Sequence, residues 1–196
     1  MTATRRFLLF LACGLVWPLA LGGGGLLRGQ SPAKYQRTAE AYKLPDITLL
    51  SQDRVKIQFK DVAASGRPVA LALNYTTCTT VYPLIAAGFA NLQRKLGPDA
   101  QKVWLISISI DPEYDTPELM KEYLQRYGAK PGWDFLTGSK KDVVSVMRAF
   151  DAYVADKMDK HTPLTFLWLP GENRWIRIHG LMSTKDLMKE IGVGAP

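Results

Sequence analysis

Residues 69–83 read VALALNYTTCTTVYP, and this stretch decides the fold. Residues 69–75 form an almost continuous apolar run, which predicts a strand buried on both faces. Small hydroxyl residues and one cysteine, Cys78, follow, and Pro83 then takes a first-turn helix position that needs no backbone donor. Cys78 is therefore predicted to lie in a strand-to-helix corner near a helix N-terminus, where the peptide dipoles favour the thiolate.

The flanking sequence supplies further strands and helices in an order that indicates a fold class. Apolar periodicity, caps and turn residues predict elements at 47–50, 55–59, 69–75, 83–96, 103–110, 116–127, 139–150, 165–169, 175–179 and 183–191, with a short strand before residue 139. A parallel pair joined by a crossover helix comes first, and an antiparallel pair and a last helix follow. This order predicts an α/β, thioredoxin-like fold: a central mixed sheet flanked by helices, with an extra N-terminal hairpin.

The N-terminus predicts export from the cytoplasm. Arg5 and Arg6 precede an apolar stretch over residues 7–27, which indicates a signal peptide or an uncleaved membrane anchor in residues 1–30. Residues 31–44 are predicted to be a polar tether, and residues 45–193 the thioredoxin-like domain. We expect an extracytoplasmic protein, in the bacterial periplasm, secreted or anchored to the cytoplasmic membrane by its N-terminal segment.

The composition fits one globular domain behind a leader. The 196 residues are 47% apolar and 22% charged, and the net charge is +7. Residues 1–30 hold three of the basic residues and no acid, and the remaining charges alternate in sign. There is no basic stripe with interleaved aromatic residues, so we expect no nucleic-acid partner.

Cys78 is the single cysteine of the exported part, because Cys13 lies in the leader. Structural cysteines of an oxidising compartment normally occur in pairs. A lone cysteine at a helix-opening corner therefore indicates a reactive thiol or a metal ligand, and burial as a small apolar side chain is the alternative.

Two histidines are candidates for a second role. His161 precedes the predicted antiparallel strand, in a loop that passes beside the cysteine corner in a thioredoxin-like fold; the alternative is a surface histidine in a charged loop. His179 lies within a predicted strand on the far side of a hairpin, where a structural role is expected. A thiolate and an imidazole together form a borderline-soft site that suits copper.

Two ligands do not fill a coordination shell, so a third donor is required. The candidates are Tyr82, Met158, a water molecule or a group from a partner. Tyr82 follows Cys78 by one helical turn and can face the same site, although packing over the loop is the commoner role of such a ring. Its ordinary pKa of about 10 makes a phenolate ligand unfavourable unless a metal lowers that value.

The segment 111–118, DPEYDTPE, is the other dense motif. A strand end, a turn and a proline-primed helix with acids in its first turn account for it structurally. The same segment offers hydrogen bonds that support the cysteine site from behind its ligands, but it is not expected to be a ligand set.

Together these motifs resemble the Sco/SenC family of extracytoplasmic copper proteins over residues 44–191. The resemblance is carried by TCTTVYP at 77–83, set against a family pattern Cys-x-x-x-Cys-Pro, by ISIDPEYDTP at 108–117, by GWDFLTG at 132–138, and by His161 ahead of FLWL at 166–169. It implies a thioredoxin-like domain that binds copper, Cu(I) or Cu(II), through two cysteines and one histidine. It also implies help in building the binuclear copper centre of cytochrome c oxidase, with subunit II as a client and a copper donor or thioredoxin-like reductant as further partners.

The resemblance assigns residues and exposes one departure. Cys78 takes the place of the first cysteine, and His161 takes that of the histidine. Tyr82 stands where the second cysteine is expected. The loss of one thiolate weakens copper(I) binding, and it removes an intramolecular disulfide, so a dithiol cycle within the domain is not available.

Three hypotheses follow. The leading one is a copper-binding assembly factor with an altered single-cysteine site, a metallochaperone rather than an enzyme. The second is a one-cysteine thiol oxidoreductase or peroxidase, in which Cys78 is catalytic and is oxidised to a sulfenic acid; the peroxidase pattern Thr-x-x-Cys would require threonine in place of Tyr75. The third is a domain that docks on a partner without metal or redox chemistry.

Overall fold

The computed structural model describes residues 35–153 and 163–193, which all fall in one compact unit, residues 32–196. The strands are β1 (Tyr35–Glu40), β2 (Thr48–Ser51), β3 (Lys56–Gln58), β4 (Val69–Asn74), β5 (Trp104–Ser109), β6 (Trp133–Thr137), β7 (Leu164–Trp168) and β8 (Trp175–Gly180). The α-helices are α1 (Tyr82–Leu96), α2 (Pro117–Arg126), α3 (Lys140–Ala149) and α4 (Thr184–Glu190), and 3-10 helices span Phe59–Ala64 and Gly97–Lys102.

The strands form one mixed sheet in the order β1-β8-β7-β4-β5-β6-β2-β3. The three strands β4, β5 and β6 are parallel to one another, and β7 runs antiparallel to β4 on the other side. The remaining neighbours, including the hairpins β2–β3 and β7–β8, are antiparallel. This arrangement confirms the predicted thioredoxin-like α/β class with its extra N-terminal hairpin.

The centre of the sheet is covered on both faces. All six residues of β4 and all six of β5 are buried, as the continuous apolar run at 69–75 predicted. Along β4, Ala70 and Ala72 join the core that contains residues of α1, α2 and α4, whereas Leu71 and its alternate neighbours join the core on the other face. Because both faces are filled, a ligand of this part of the sheet is expected at the carboxyl ends of its strands, where open α/β sheets place ligands.

The structure differs from the predicted tether at Tyr35–Glu40, which is strand β1. This strand pairs along its whole length with β8, from Tyr35 opposite Gly180 to Glu40 opposite Trp175. Four of its six residues are exposed, so the stretch has no apolar periodicity to reveal a strand. The Tyr35 hydroxyl and the Arg37 guanidinium also bind Glu190 of α4, each at 2.9 Å, which ties the N-terminal strand to the last helix.

The helices predicted to begin at residues 116, 139 and 183 each begin with a hydroxyl cap. The hydroxyls of Thr116, Ser139 and Ser183 accept hydrogen bonds from the backbone N–H groups three residues ahead, and each begins its helix with an acid in the first turn. Helix α1 begins at Tyr82, one residue before the predicted start. Its N-cap residue, Val81, makes no side-chain cap hydrogen bond, and its first turn contains no acid.

Two predicted features lie outside the described residues: the signal peptide or anchor at residues 1–30, and the loop that contains Met158 and His161. Among the helices of residues 35–153 and 163–193, none has the length and apolar character required to span a bilayer.

Candidate functional site

Cys78 lies in the corner between the end of β4 and the start of α1, as the sequence predicted. Its backbone N–H donates to the carbonyl of Tyr75 at 3.3 Å, which closes a tight turn directly after the strand. The side chain is a free thiol and is only 9% exposed. It forms part of the wall of an open cleft of about 680 Å³. The cleft lies between α2 and the cysteine loop, residues 75–81, which joins β4 to α1. The cleft is lined by Thr76, Thr77, Cys78, Thr79, Tyr114, Leu119, Glu122, Tyr123, Arg126 and Tyr127.

The N-terminus of α1 stabilises the Cys78 thiolate. Burial by itself raises the pKa of this thiol, but hydrogen bonds from the backbone N–H groups of Thr80, Tyr82 and Val81 and from the Thr80 hydroxyl outweigh it. The net pKa of Cys78 is about 7, lowered from an ordinary value of 9.0. The Thr80 Oγ1 atom lies 3.7 Å from Sγ. The start of α1 thus makes the thiolate form of Cys78 more accessible at neutral pH than that of an ordinary cysteine.

Two buried polar side chains hold the loop that leads to Cys78. The Asn74 side-chain oxygen accepts from the backbone N–H of Tyr75 at 2.7 Å, and its Nδ2 donates to the Tyr123 hydroxyl at 3.1 Å. The Asp115 carboxylate accepts from both the backbone N–H and the hydroxyl of Thr76, and from the Ser109 hydroxyl at 2.6 Å. Asp115 belongs to the segment 111–118, and its contacts are of the supporting kind that the sequence analysis considered for that segment.

Sequence reasoning missed Asn74 and Ser109 as parts of the site. Each is a polar residue at the end of a buried apolar strand, and each is at most 3% exposed. Buried polar groups require hydrogen-bond partners, so a polar residue that ends an apolar strand was the available signal.

Tyr82 is a buried part of the helix start. It is 4% exposed, and its ring packs edge-on against that of Tyr75 with 5.4 Å between centroids. Burial raises the pKa of the Tyr82 phenol well above its ordinary value, and the neighbouring Cys78 charge raises it further. The phenol is therefore neutral at physiological pH, which disfavours it as a phenolate ligand. Its packing role matches the commoner of the two roles considered for it.

Of the two candidate histidines, His179 lies among the described residues and His161 does not. His179 lies in β8, paired with Leu164 of β7 and Gln36 of β1. Burial lowers the pKa of His179, and the Arg177 charge lowers it further, so this imidazole is neutral at pH 7. His161 is outside the described residues, so its predicted approach to Cys78 stays a prediction.

The start of β7 nevertheless lies at the same sheet edge as the cysteine corner. Thr165 is opposite Ala72 in the antiparallel pair of β7 and β4, so the residues before Thr165 run alongside the carboxyl end of β4. Pro163, the first residue described after the gap, accepts a hydrogen bond from the Gly180 N–H at 2.9 Å. This contact fixes where the chain leaves the loop that contains His161.

Within residues 35–153 and 163–193, no three histidine, cysteine or acidic side chains are grouped so that they could hold a metal ion. The donor that the described residues do provide is the Cys78 thiolate. A thiolate is a soft ligand that suits copper(I), so this residue fits the predicted metal.

Comparison with known proteins identifies one family. Residues 36–192 match the family described as SCO1/SenC. Among curated relatives, the SCO1 protein homolog of Bacillus subtilis (strain 168) is 29% identical over 116 residues, which cover 58% of this chain and 59% of the relative. A protein of Stutzerimonas stutzeri whose name describes it as copper-binding is 28% identical over 147 residues, which cover 74% of this chain and 69% of the relative. The match to the Bacillus protein thus spans about three fifths of that relative's length.

Solved structures show the same fold. Bradyrhizobium japonicum ScoI, determined with copper bound, has a TM-score of 0.61 and 27% identity, over 74% of this chain and 94% of that one. BsSco, described as a member of the Sco family of cytochrome c oxidase assembly proteins, has a TM-score of 0.65 and 24% identity, over 79% of this chain and 94% of that one. The second likeness bears on the fold alone.

Proposed function

This chain belongs to the SCO1/SenC family, and from that premise we propose that it is an extracytoplasmic copper-binding assembly factor. Its role is to deliver copper to cytochrome c oxidase or another copper enzyme, or to mature that enzyme. The observation that carries the proposal is the Cys78 thiol, which lines an open cleft and whose pKa is lowered by the backbone at the start of α1. The copper-bound relative at 27% identity and the relative named as copper-binding support the choice of metal.

Cys78 and His161 are the proposed copper ligands. The sulfur supplies a soft, negatively charged donor, and the imidazole accepts either valence of copper. The register of β7 against β4 supports the pairing, because Pro163 lies beside the carboxyl end of β4. Covalent geometry keeps the Cα atom of residue 161 within about 7 Å of that of Pro163.

We propose that the site is altered relative to the family pattern, because Tyr82 stands at the position of the second cysteine. Its buried phenol with a raised pKa is a poor substitute for a thiolate. The third donor is then a water molecule, Met158 or a group supplied by the client. Such a site holds copper(I) less tightly than a two-thiolate site and releases it more readily.

Export is the remaining part of the proposal. Residues 1–30, with Arg5 and Arg6 before an apolar stretch, support a signal peptide or an anchor that places the domain outside the cytoplasm. A client such as cytochrome c oxidase subunit II and a copper donor or thioredoxin-like reductant are the proposed partners. In the same compartment, a lone thiol without a resolving cysteine is better suited to holding a metal than to dithiol exchange.

The test is copper titration of the exported protein, purified in the state in which the cell leaves it. We expect about one copper ion per chain, a thiolate-to-copper(II) charge-transfer band, loss of both in Cys78→Ala, and much weaker binding in His161→Ala. His179→Gln is the matched histidine control and should bind like the wild type. Equal copper affinity in the wild type and Cys78→Ala would refute the proposal.

A thiol peroxidase is the second candidate, and the lowered pKa of Cys78 favours it. In this reaction the thiolate attacks a peroxide oxygen, the O–O bond breaks, and Cys78 becomes a sulfenic acid while hydroxide or alkoxide leaves. Rapid stoichiometric trapping of a sulfenic acid at Cys78, together with peroxide consumption sustained by an added thiol, would support the enzyme. Slow trapping at a rate typical of an ordinary free thiol would count against it.

A further inference from the structure

We infer that Asp115 is a positioning residue for Cys78: its buried carboxylate holds Thr76 so that the sulfur two residues later faces the backbone N–H groups just before and at the start of α1. The expected effect on the thiol follows from the contacts of Asp115. The expected effect on copper binding rests, in addition, on the proposed function.

The surroundings of Asp115 are unusual for a buried acid. The residue is 1% exposed, and none of the ion pairs in the described part of the chain includes it. A buried carboxylate without a cation is costly unless several hydrogen bonds satisfy it. Here the hydrogen bonds come from the cysteine loop, through Thr76, and from the end of β5, through Ser109.

The three donors place Asp115 at the junction of three elements. The Thr76 backbone N–H donates to Oδ1 at 3.2 Å and to Oδ2 at 3.3 Å, and the Thr76 hydroxyl donates to Oδ1. The Ser109 hydroxyl donates to Oδ2 at 2.6 Å. Asp115 itself directly precedes Thr116, the N-cap of α2. A single carboxylate therefore links the cysteine loop to β5 and to the start of α2.

The cysteine loop is short, so fixing Thr76 also fixes the sulfur. Asn74 holds the N–H of Tyr75, and the Tyr75 carbonyl accepts from the N–H of Cys78 at 3.3 Å. Only Thr77 lies between the residue that Asp115 holds and Cys78. If Thr76 is released, the turn loosens, and Sγ moves relative to the N–H groups of Thr80, Val81 and Tyr82.

A purely structural role predicts a different outcome from a positioning role. A structural role predicts a lower melting temperature and an unchanged thiol in the protein that stays folded. A positioning role predicts a changed thiol even where the fold is intact. The loss of hydrogen bonds behind a metal ligand typically weakens metal affinity by about 10- to 100-fold.

The experiment compares four variants of the exported full protein. Thr76→Val removes the hydroxyl at nearly constant shape, Thr76→Ser keeps it, and Asp115→Asn removes the charge. Glu113→Gln is the charge-matched control, because Glu113 lies in the same loop but is 72% exposed and pairs with Lys140. Three quantities are measured: the thiolate absorbance of the metal-free protein at neutral pH, the copper(I) affinity by competition with a chelator, and the melting temperature.

We expect Thr76→Val and Asp115→Asn to lose thiolate absorbance severalfold and to bind copper(I) about 10- to 100-fold more weakly. Thr76→Ser and Glu113→Gln should match the wild type in both measurements. If Asp115→Asn does not fold, Thr76→Val with its serine rescue still decides the question.

Two other outcomes remain, and each has a distinct meaning. Unchanged thiolate absorbance and copper affinity in folded Thr76→Val and Asp115→Asn, with only a lower melting temperature, would overturn the positioning role. If the wild type binds no copper, the proposed function fails, but the thiolate comparison of the metal-free variants still tests the inference about Asp115.

Discussion

Helix α1 starts differently from the other three α-helices of the described chain. At α2, α3 and α4 a hydroxyl side chain accepts the first backbone N–H hydrogen bonds, and an acid in the first turn complements the helix dipole. At α1 neither device is present, and the backbone of Thr80, Val81 and Tyr82 lowers the pKa of the Cys78 thiol instead. Three helix starts therefore serve stability, whereas the fourth keeps its positive end available to a thiolate and to whatever that thiolate binds.

Removing the sulfur of Cys78 should have the largest effect on copper binding. Cys78→Ser replaces the thiol with a hydroxyl, a much poorer ligand for copper(I), and we expect copper binding to fall to the background level while the fold survives. Cys78→Ala should bind equally little. Equilibrium dialysis with copper(I) under reducing conditions measures the effect. Retention of the wild-type stoichiometry in Cys78→Ser would show that the metal binds elsewhere.

Placing a cysteine at position 82, where we propose that the family pattern has its second cysteine, should have the next largest effect. Tyr82→Cys adds a second thiolate one helical turn from the first, so we expect tighter copper(I) binding and, on oxidation, an intramolecular disulfide that thiol counting detects. Replacing a buried ring with a small side chain also costs about 3 kcal/mol of stability. Tyr82→Ser is the control for the cavity, because it should lose similar stability but gain neither copper affinity nor a disulfide.

The lowered pKa of Cys78 makes the stability of the fold depend on pH. The folded-state pKa of Cys78 is about 7, below its ordinary value of 9.0, so the ionised thiol stabilises the fold. This contribution is fully present above pH 9 and disappears as the pH falls through about 7. A two-unit shift of the pKa corresponds to about 3 kcal/mol.

Urea unfolding of the reduced, metal-free protein at pH 6 and pH 9 measures this contribution. The free energy of unfolding of the wild type, relative to that of Cys78→Ala, should be larger at pH 9 than at pH 6. Cys78→Ala keeps every other titrating group, so the difference between the two proteins reports on Cys78. A constant difference between the two proteins would contradict the lowered pKa of the thiol.

The conventional helix starts should give the smallest effect, and one on stability alone. Ser139→Ala and Ser183→Ala each remove a cap hydrogen bond of 3.1 Å to the backbone N–H of Asp142 or Asp186. We expect each to cost about 1 kcal/mol of stability and to leave copper affinity unchanged. Helix α4 contributes no residue to the Cys78 cleft. A loss of copper affinity in Ser183→Ala would therefore contradict the assignment of this helix start to stability alone.

The parts of the fold that follow from near neighbours in the chain were predictable. The apolar run of β4, the proline-primed start of α1 and the hydroxyl caps of α2, α3 and α4 depend on residues within one or two turns of one another. The position of Cys78 between β4 and α1 belongs to the same class. Strand β1 was not predictable in this way, because its polar sequence gains its structure from pairing with β8.

The features of the site also separate into those set by near neighbours in the chain and those set by distant segments. That a lone thiol stands at a helix-opening corner follows from the sequence, because a strand, a turn and a helix start are local events. That Asp115 holds Thr76 from 39 residues away, and that Tyr82 is buried with a raised pKa, follows from the packing of distant segments alone. The physical reason is that these properties depend on the alignment of β4 beside β5 and on the packing of α1 and α2 against the sheet, and contacts between distant segments leave no periodic pattern in the sequence.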